Sequence, residues 1–234
     1  MPRAWVTLVS VPDRLPAEFF DRPVLDVAAD LLGARVEHGA VAVRLTEVEA
    51  YAGLGDPGSH AFRGRTPRTA VLFGPPGSLY VYFTYGMHWC ANLVCGPQGH
   101  GAAVLLRAGE VVDGLAIAHE RRGEACPARD LARGPARLAV ALGLTGADNG
   151  RVVVEADSPV RVTAAVLAPS AKRAPGVRTG PRVGVSGPGG DGAAYPWRLW
   201  LDGEATVSAY RPARPRAPRR GETRSRGADG IRQA

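Results

Sequence analysis

The strands and helices predicted along this chain do not alternate regularly. A helical pattern at residues 23–32 precedes a strand pattern at residues 41–51. Three more strand patterns then follow in a run, at residues 79–85, 88–95 and 102–108. Helical patterns at 110–121 and 135–142 precede short strand patterns at 152–155, 160–167, 182–185 and 198–201. A doubly wound sheet needs a helix between successive strands, so this order indicates an α+β domain.

The strand pattern at residues 41–51 changes character along its length. Its alternate positions carry three apolar residues and then two carboxylates and a phenol: Val41, Val43, Leu45, Glu47, Glu49 and Tyr51. A face of this kind predicts a strand that runs from the core into a pocket. Glu49 is therefore a candidate general base, and the alternative is that both carboxylates are solvated at a strand end.

Gly, Pro and Arg dominate residues 53–76, which predicts a long irregular connection. Its middle carries His60, Arg63, Arg65 and Arg68 with no acidic residue between them. Arginines grouped in this way can bind phosphates without reading a sequence, whereas the alternative is a solvated loop. Loops of this length are often functional.

Tyrosines are concentrated in one predicted hairpin strand, which holds Tyr80, Tyr82 and Tyr85 before a turn at Gly86. Aromatic rings stack on unpaired bases, and beside a basic loop they indicate recognition of an unstacked nucleotide. The alternative is ordinary packing within a sheet.

The basic charge of the chain belongs mostly to its C-terminus. The formal charge is +7, but residues 211–234 hold eight Arg against two acids, which leaves +1 for the rest. The alternation of Arg and Pro in this tail predicts disorder. Recognition of nucleic acid must therefore be argued from particular residues of the body.

Scarce lysine and cysteine exclude several kinds of chemistry. Lys172 is the only lysine, so a GxxxxGK[ST] phosphate loop is excluded and a Schiff base has one side-chain amine to use. Three cysteines are too few for a disulfide scaffold and favour a reducing cytoplasm. His88, Cys90, Cys95 and His100 lack the spacing of known zinc sites, so no metal is predicted. No segment predicts a membrane span.

Several separate blocks carry a resemblance to a known family. They are EVEAY at 47–51, SH at 59–60, RTPR at 65–68, YVY at 80–82, YGMH at 85–88, CAN at 90–92, LLRA at 105–108, GPARL at 134–138 and RVGV at 182–185. In this order they resemble the alkyladenine (3-methyladenine) DNA glycosylase family, the single-domain type without a helix-hairpin-helix, over residues 19–208. The chain departs from the family pattern at Thr69, where Asn is common, and at Leu72-Phe73, where Met-Phe is frequent. The glycine-rich residues 187–192 match no family role.

The chain is predicted to have three parts, and the resemblance implies the fold of the central one. A domain at residues 16–210 would hold a curved antiparallel sheet, flanking helices and a protruding hairpin that inserts into DNA, like the C-terminal domain of formyltransferases. An N-terminal arm at residues 1–15 and the disordered tail at residues 211–234 would flank it.

The resemblance also implies residue roles. Glu49 would activate a water against C1′ of the damaged nucleotide, and Arg107 would orient the water or the glutamate. The flipped base would stack on Tyr51, His60 and Tyr82, and Asn92 would exclude guanine by a clash with its exocyclic amine. DNA would be contacted by Tyr85, Met87 and His88 on the hairpin, with Tyr85 filling the gap left by flipping, and by Arg65, Thr66, Arg68 and Arg137 at phosphates.

The activity implied is removal of alkylated or deaminated purines from double-stranded DNA by hydrolysis of the N-glycosidic bond, with no cofactor, metal or lyase step. The protein would act as a monomer in a bacterial-type cytoplasm, at the nucleoid. A lyase variant would depend on Lys172 or on the amine of Pro2 after removal of Met1. Two alternatives remain: a damaged-DNA-binding protein without turnover, and a hydrolase of free nucleosides or glycosides that uses Glu47 and Glu49.

Overall fold

The β-strands form one antiparallel sheet in a computed structural model that describes residues 14–84, 86–165 and 176–213. The strands are β1 (Arg35–His38), β2 (Val41–Tyr51), β3 (Leu79–Thr84), β4 (His88–Cys95), β5 (Ala102–Asp113), β6 (Val160–Thr163), β7 (Val177–Gly180) and β8 (Arg198–Leu201). The helices are α1 (Ala17–Phe20), α2 (Val24–Asp30), α3 (Leu115–Arg122) and α4 (Pro135–Leu142). Short 3₁₀ turns lie at Gly53–Gly55, Ala70–Phe73, Ala128–Asp130, Gly146–Asp148 and Pro188–Gly190.

The strands are ordered β3-β4-β5-β2-β1-β6, and β2 lies at the centre of the sheet. One edge of β2 pairs with β5, while its other edge pairs first with β1 and then, at Glu47–Glu49, with β8. β7 extends the sheet beyond β8. This mixed architecture, with an open antiparallel sheet and few helices, confirms the predicted α+β class.

The two faces of the sheet are covered by different parts of the chain. One face packs against α2 and α4 and forms the main hydrophobic core, which includes Val43, Leu45, Val104, Leu106, Leu138 and Leu142. The opposite face carries a smaller buried cluster under the connection at residues 53–76, formed by Ala61, Leu72, Tyr80, Val94 and Ala103. The second face is therefore free to carry a cavity beside this cluster.

Two adjacent β-bulges determine which residues reach the second face. Leu45 lies opposite Gly109 and Glu47 opposite Ala108, which leaves Thr46 as an extra residue on β2. Val48 then lies opposite Leu106, which leaves Arg107 as an extra residue on β5. Bulges of this kind redirect side chains and are frequent beside active sites.

The bulges correct one prediction from the sequence. Unbroken alternation placed Glu47, Glu49 and Tyr51 on the face of Val41, Val43 and Leu45, and this was wrong. Past the bulge Val48 and Ala50 join the main core, so Glu47 and Glu49 point to the other side of the sheet. The strand still runs from the core to a cavity, because the change of face occurs within it.

Most other predicted elements are confirmed, at residues 24–30, 79–84, 88–95, 135–142, 160–163 and 198–201. The helix predicted to begin at residue 110 is wrong in its first residues, because β5 continues to Asp113 and stays paired with β2. Gly114 separates β5 from α3; its φ of 71° suits glycine, and a Cβ there would lie 2.3 Å from the Ala40 carbonyl oxygen.

Two predicted strands do not form. Residues 152–155 make a single bridge, from Val152 to Ser78, and otherwise form turns. Residues 182–185 lie over the sheet instead of within it, and β7 ends at Gly180. Some predictions fall outside the described residues: those for Tyr85, for residues 166 and 167 of a predicted strand, for most of the N-terminal arm and for residues 214–234 of the tail. The domain boundaries therefore stay predictions.

Candidate active site

A cavity of about 620 Å³ lies on the sheet face opposite the main core. Side chains from β2, β3, β4 and β5 form its floor, residues 57–60 and 183–186 form its roof, and Pro135 and Ala136 lie at its rim. It brings together seven of the residues predicted from the sequence: Glu49, Tyr51, His60, Tyr82, His88, Asn92 and Arg107. Strands distant in sequence thus converge on one site.

Glu49 is fully buried at 0% exposure, and three donors hold its carboxylate. Oε1 accepts the backbone N–H of Val183 at 2.7 Å and lies 3.3 Å from Nη1 of Arg107. Oε2 accepts the hydroxyl of Tyr51 at 2.8 Å. An ionised carboxylate offers about four acceptor positions, so three donors leave one of them unoccupied.

Glu47 is also fully buried but has a different environment. Its Oε1 accepts Nε of Arg107 at 2.9 Å, Nε of Arg198 at 2.6 Å and Oγ of Ser208 at 2.9 Å, and its Oε2 accepts the Ser208 N–H at 2.6 Å. Burial acts to raise the pKa of Glu47, but Arg107 and Arg198 outweigh it, and the pKa lies below its ordinary value. Glu47 is therefore an anchor for Arg107, which reaches Glu49 from there.

Aromatic side chains line the cavity beside the carboxylate. Tyr80 and Tyr82 are stacked with ring centroids 5.5 Å apart. His60 and Tyr82 meet edge to face, with ring centroids 4.6 Å apart. The pKa of Tyr51 is raised, mainly by burial and further by the Glu49 carboxylate, so its hydroxyl stays a donor. The pKa of His60 is lowered, mainly by burial of the ring and further by the charge of Arg68. The imidazole is therefore neutral near pH 7, and its Nδ1 lies 3.3 Å from the hydroxyl of Tyr80.

Asn92 and Cys90 complete the floor on β4. Asn92 is 6% exposed, and its Nδ2 donates to the backbone carbonyl of Tyr80 at 3.1 Å, which fixes the side chain. Burial raises the pKa of the Cys90 thiol, against an opposing hydrogen bond with Tyr82. Cys90 is therefore a neutral thiol and a poor nucleophile.

Comparison with known proteins gives the family. The sequence profile of the methylpurine-DNA glycosylase (MPG) family matches residues 18–205, more than half of the chain. The chain belongs to the methylpurine-DNA glycosylase family. It is therefore a DNA glycosylase, an enzyme of base-excision repair.

Three bacterial relatives of the chain are named as candidate 3-methyladenine DNA glycosylases. One from Streptomyces avermitilis is 51% identical over 218 residues, which covers 91% of this chain and 100% of the relative. One from Frankia casuarinae is 54% identical over 210 residues, which covers 86% and 94%. One from Leifsonia xyli is 56% identical over 196 residues, which covers 80% and 88%.

The DNA contacts that the family resemblance implies lie mostly outside the main cavity. Met87, in the β3–β4 turn, is 67% exposed, and His88 is exposed where β4 begins. Exposed Arg65, Thr66 and Arg68 lie on the loop after His60. Tyr85 lies outside the described residues. Thr69, the departure from the family pattern, is buried and accepts the Thr66 N–H at 2.9 Å, so it folds this loop locally.

Arg137 lies in a second cavity of about 340 Å³, which we call the arginine cleft. It is lined by Arg107, Asp130, Arg133, Arg137, Val183, Ser208, Ala209 and Arg211. Arg107 and Val183 line both cavities, so the cleft adjoins the site around Glu49. Arg133 is held by the Val207 carbonyl at 2.9 Å, which gives the cleft one rigid guanidinium.

Several residues of the site were not assigned to it from the sequence. Tyr80 had a signal, since it shares the alternation of Tyr82. Val183 had none, because it acts through its backbone N–H. Arg198 and Ser208 had none either, because their contact with Glu47 joins residues 151 and 161 positions apart.

Two further observations concern metals and membranes. In the described part of the chain, no three His, Cys, Asp or Glu side chains lie together as a metal site would require. Among the same residues, no helix has the length and apolar character needed to cross a bilayer.

Proposed function

We propose that the protein flips alkylated or deaminated purines out of double-stranded DNA and hydrolyses the N-glycosidic bond to leave an abasic site. The observation that carries this proposal is the Glu49 carboxylate, buried at the floor of an aromatic cavity with three donors and a free acceptor position. That arrangement fits a base that binds one water molecule in a fixed direction.

The chemistry requires few groups. Glu49 accepts a proton as the water oxygen bonds to C1′, the bond from C1′ to the purine nitrogen breaks, and the purine leaves with the bonding electron pair. The negative charge of Glu49 stabilises the positive charge that develops on the sugar. Arg107 holds the carboxylate in position, since Glu47 anchors its Nε and leaves Nη1 facing Glu49.

Recognition of the base rests on the cavity walls. Tyr51, His60 and Tyr82 offer ring faces and edges to a purine, and an electron-poor alkylated ring is attracted by tyrosine faces. Asn92, fixed by its bond to the Tyr80 carbonyl, would clash with the exocyclic amine of guanine. Unpairing a base costs a few kcal/mol and costs least for a damaged one, which adds to the selectivity.

DNA binding is supported by cationic and hydroxyl side chains near the cavity. Arg65, Thr66 and Arg68 lie on the exposed loop and Arg137 lies in the arginine cleft, where guanidinium groups can meet phosphates. Met87 and His88 extend from the hairpin, and the neighbouring Tyr85 is proposed to fill the gap left by the flipped base.

Water, and not an amine, is proposed as the nucleophile, so the enzyme is monofunctional and has no lyase step. Glu49 favours this because it has an acceptor position for water, while the chain holds one lysine. The enzyme is proposed to act as a monomer, and DNA as substrate implies action at the nucleoid in the cytoplasm. Hydrolysis of free nucleosides by the Glu47 and Glu49 pair is disfavoured, because four donors occupy Glu47.

The proposal is tested with duplexes that carry hypoxanthine, 1,N6-ethenoadenine or 3-methyladenine under single-turnover conditions. We expect release of the free base and strand breaks only after alkali. Nicking without alkali would contradict the monofunctional mechanism. A gel shift on damaged duplex with no base released would favour a binding protein without turnover.

A further inference from the structure

Arg182 is 1% exposed, and its guanidinium has a nearly complete set of acceptors. Nη1 donates to Oδ2 of Asp56 at 2.5 Å and to the Ala50 carbonyl at 3.1 Å. Nη2 donates to Oδ1 of Asp56 at 2.7 Å and to the Gly189 carbonyl at 2.7 Å. Asp56 is itself fully buried, so the two side chains form a paired fork that the solvent does not weaken. This pair plays no part in the chemistry described above.

The fork lies directly behind two of the three donors to Glu49. The guanidinium carbon of Arg182 is 4.6 Å from the ring centre of Tyr51, whose hydroxyl donates to Glu49. Tyr195 and Trp197 close the other sides of the guanidinium, each with its ring centre at 5.4 Å. Val183 follows Arg182 in the chain, and its N–H is the second donor to Glu49. A shift of Arg182 therefore moves both donors.

Two glycines make this arrangement possible. A Cβ on Gly58 would lie 2.4 Å from Nη2 of Arg182, and a Cβ on Gly189 would lie 2.2 Å from the backbone nitrogen of Gly58. Neither glycine has a left-handed φ, so both are needed for close approach and not for conformation. Gly189 belongs to the glycine-rich residues 187–192, for which the family resemblance gave no role. Gly58 and Gly189 let the roof segment at residues 57–60 meet the 3₁₀ turn at Pro188–Gly190 beside Arg182.

We infer that Arg182, held by Asp56 and by the contact of Gly58 with Gly189, is a positioning residue for Glu49. It fixes the Tyr51 hydroxyl and the Val183 N–H so that the carboxylate presents its free acceptor position to the attacking water. This inference rests on the proposed function, because the reaction gives the orientation of Glu49 its consequence. Arg182 itself touches neither the base nor the sugar.

The test is Gly58→Ala, with Gly55→Ala as the matched control. An ordinary contact begins at 3.4 Å, so the new methyl must push Nη2 of Arg182 back by about 1 Å, and it also meets Cγ1 of Val185 at 3.0 Å. A Cβ on Gly55, three residues away, meets nothing within 4 Å. We expect Gly58→Ala to lower the maximal single-turnover excision rate about tenfold to hundredfold, since a misplacement of about 1 Å can cost that much. Affinity for a duplex with a stable abasic analogue should change less than threefold, and Gly55→Ala should match the wild type.

A merely structural role is separated from positioning in two ways. Partial unfolding would reduce the amplitude of the single turnover and leave its rate constant unchanged, whereas positioning reduces the rate constant at full amplitude. The double variant with Tyr51→Phe should lose less than the product of the two single losses, because both changes act on the same donors. Arg182→Lys keeps the charge but not the fork, and we expect it to excise more slowly than the wild type at full amplitude. An unchanged rate constant in Gly58→Ala, or losses that multiply in the double variant, would overturn the inference.

A second measurement does not depend on excision. The Val183 amide proton resonance should lie downfield in the wild type and move upfield in Gly58→Ala, but not in Gly55→Ala, because its bond to Glu49 lengthens. An unmoved resonance would refute the positioning role even if the wild type excised no base. If the wild type excised no base but the Val183 resonance moved as expected in Gly58→Ala, the proposed function alone would be refuted.

Discussion

Removal of the charge of Glu47 should destabilise the protein strongly, although the residue does not face the attacking water. In Glu47→Gln the side chain keeps its size but presents one amide in place of a carboxylate. Four donors now meet Glu47, two of them from Arg107 and Arg198, which are 6% and 4% exposed. The substitution would leave Arg198 buried without the carboxylate that pairs with it, and would leave Arg107 with Glu49 as its remaining partner.

The size of the effect follows from the cost of breaking a buried ion pair. Removing one partner of such a pair costs about 3–5 kcal/mol, because the remaining charge is left uncompensated. At about 2–4 °C per kcal/mol for a chain of this size, the melting temperature should fall by about 6–20 °C. The folded-state pKa of Glu47 is lowered, so its contribution is complete above the ordinary value of 4.5 and is lost as pH falls through the lower folded value.

Urea unfolding of the wild type and of Glu47→Gln at pH 7 measures this difference. Glu110→Gln is the matched control, because Glu110 pairs with Arg44 on the same sheet but its side chain is 52% exposed. Exposed pairs contribute about 0–1 kcal/mol, so the control should unfold almost as the wild type does. The difference between wild type and Glu47→Gln should shrink in acid below pH 4.5. A loss below about 1 kcal/mol at pH 7 would refute the anchoring role of Glu47.

Three further predictions follow from the same geometry. Tyr51→Phe keeps the ring but removes the donor to Glu49, so single-turnover excision should fall at least about tenfold, as a hydrogen bond to a charged group contributes about 1.5–3 kcal/mol. Arg68→Ala should raise the pKa of His60 toward its ordinary 6.5 in a ring-nitrogen NMR titration, and an unmoved value would refute their interaction. Deletion of residues 214–234 removes seven Arg and two acids, so the salt dependence of DNA binding should become shallower while excision at saturating protein stays unchanged. The cut spares Arg211, whose carbonyl accepts the Gly184 N–H at 3.1 Å.

Local patterns in the sequence predicted the elements whose stability is local. The helix at Pro135–Leu142 begins with proline and ends at glycine, and the hairpin of β3 and β4 turns at Gly86, whose φ is 67°. Alternation and turn residues are sufficient signals in such segments. The strand at Val177–Gly180 was missed because it is mostly exposed and carries no apolar alternation.

The geometry of the site could not be read from the sequence in the same way. The bulges at Thr46 and Arg107 exchange the faces of β2 and β5, respectively, and each exists only because the two strands pair in one particular register. Residues 182–185 have a strand-like composition, but the pairing of Arg182 with Asp56 draws them over the cavity. Both features depend on partners more than 50 residues away, which no periodicity records.

The central claim is that the Glu49 carboxylate activates the water, and Glu49→Gln tests it most directly. Glutamine keeps the shape of the side chain and an oxygen that can accept the Val183 N–H, but it has neither the charge nor the basicity of a carboxylate. On a hypoxanthine duplex under single-turnover conditions, we expect binding within a few-fold of the wild type and excision slowed by about 10²–10⁴-fold. Excision by Glu49→Gln at the wild-type rate would contradict the account.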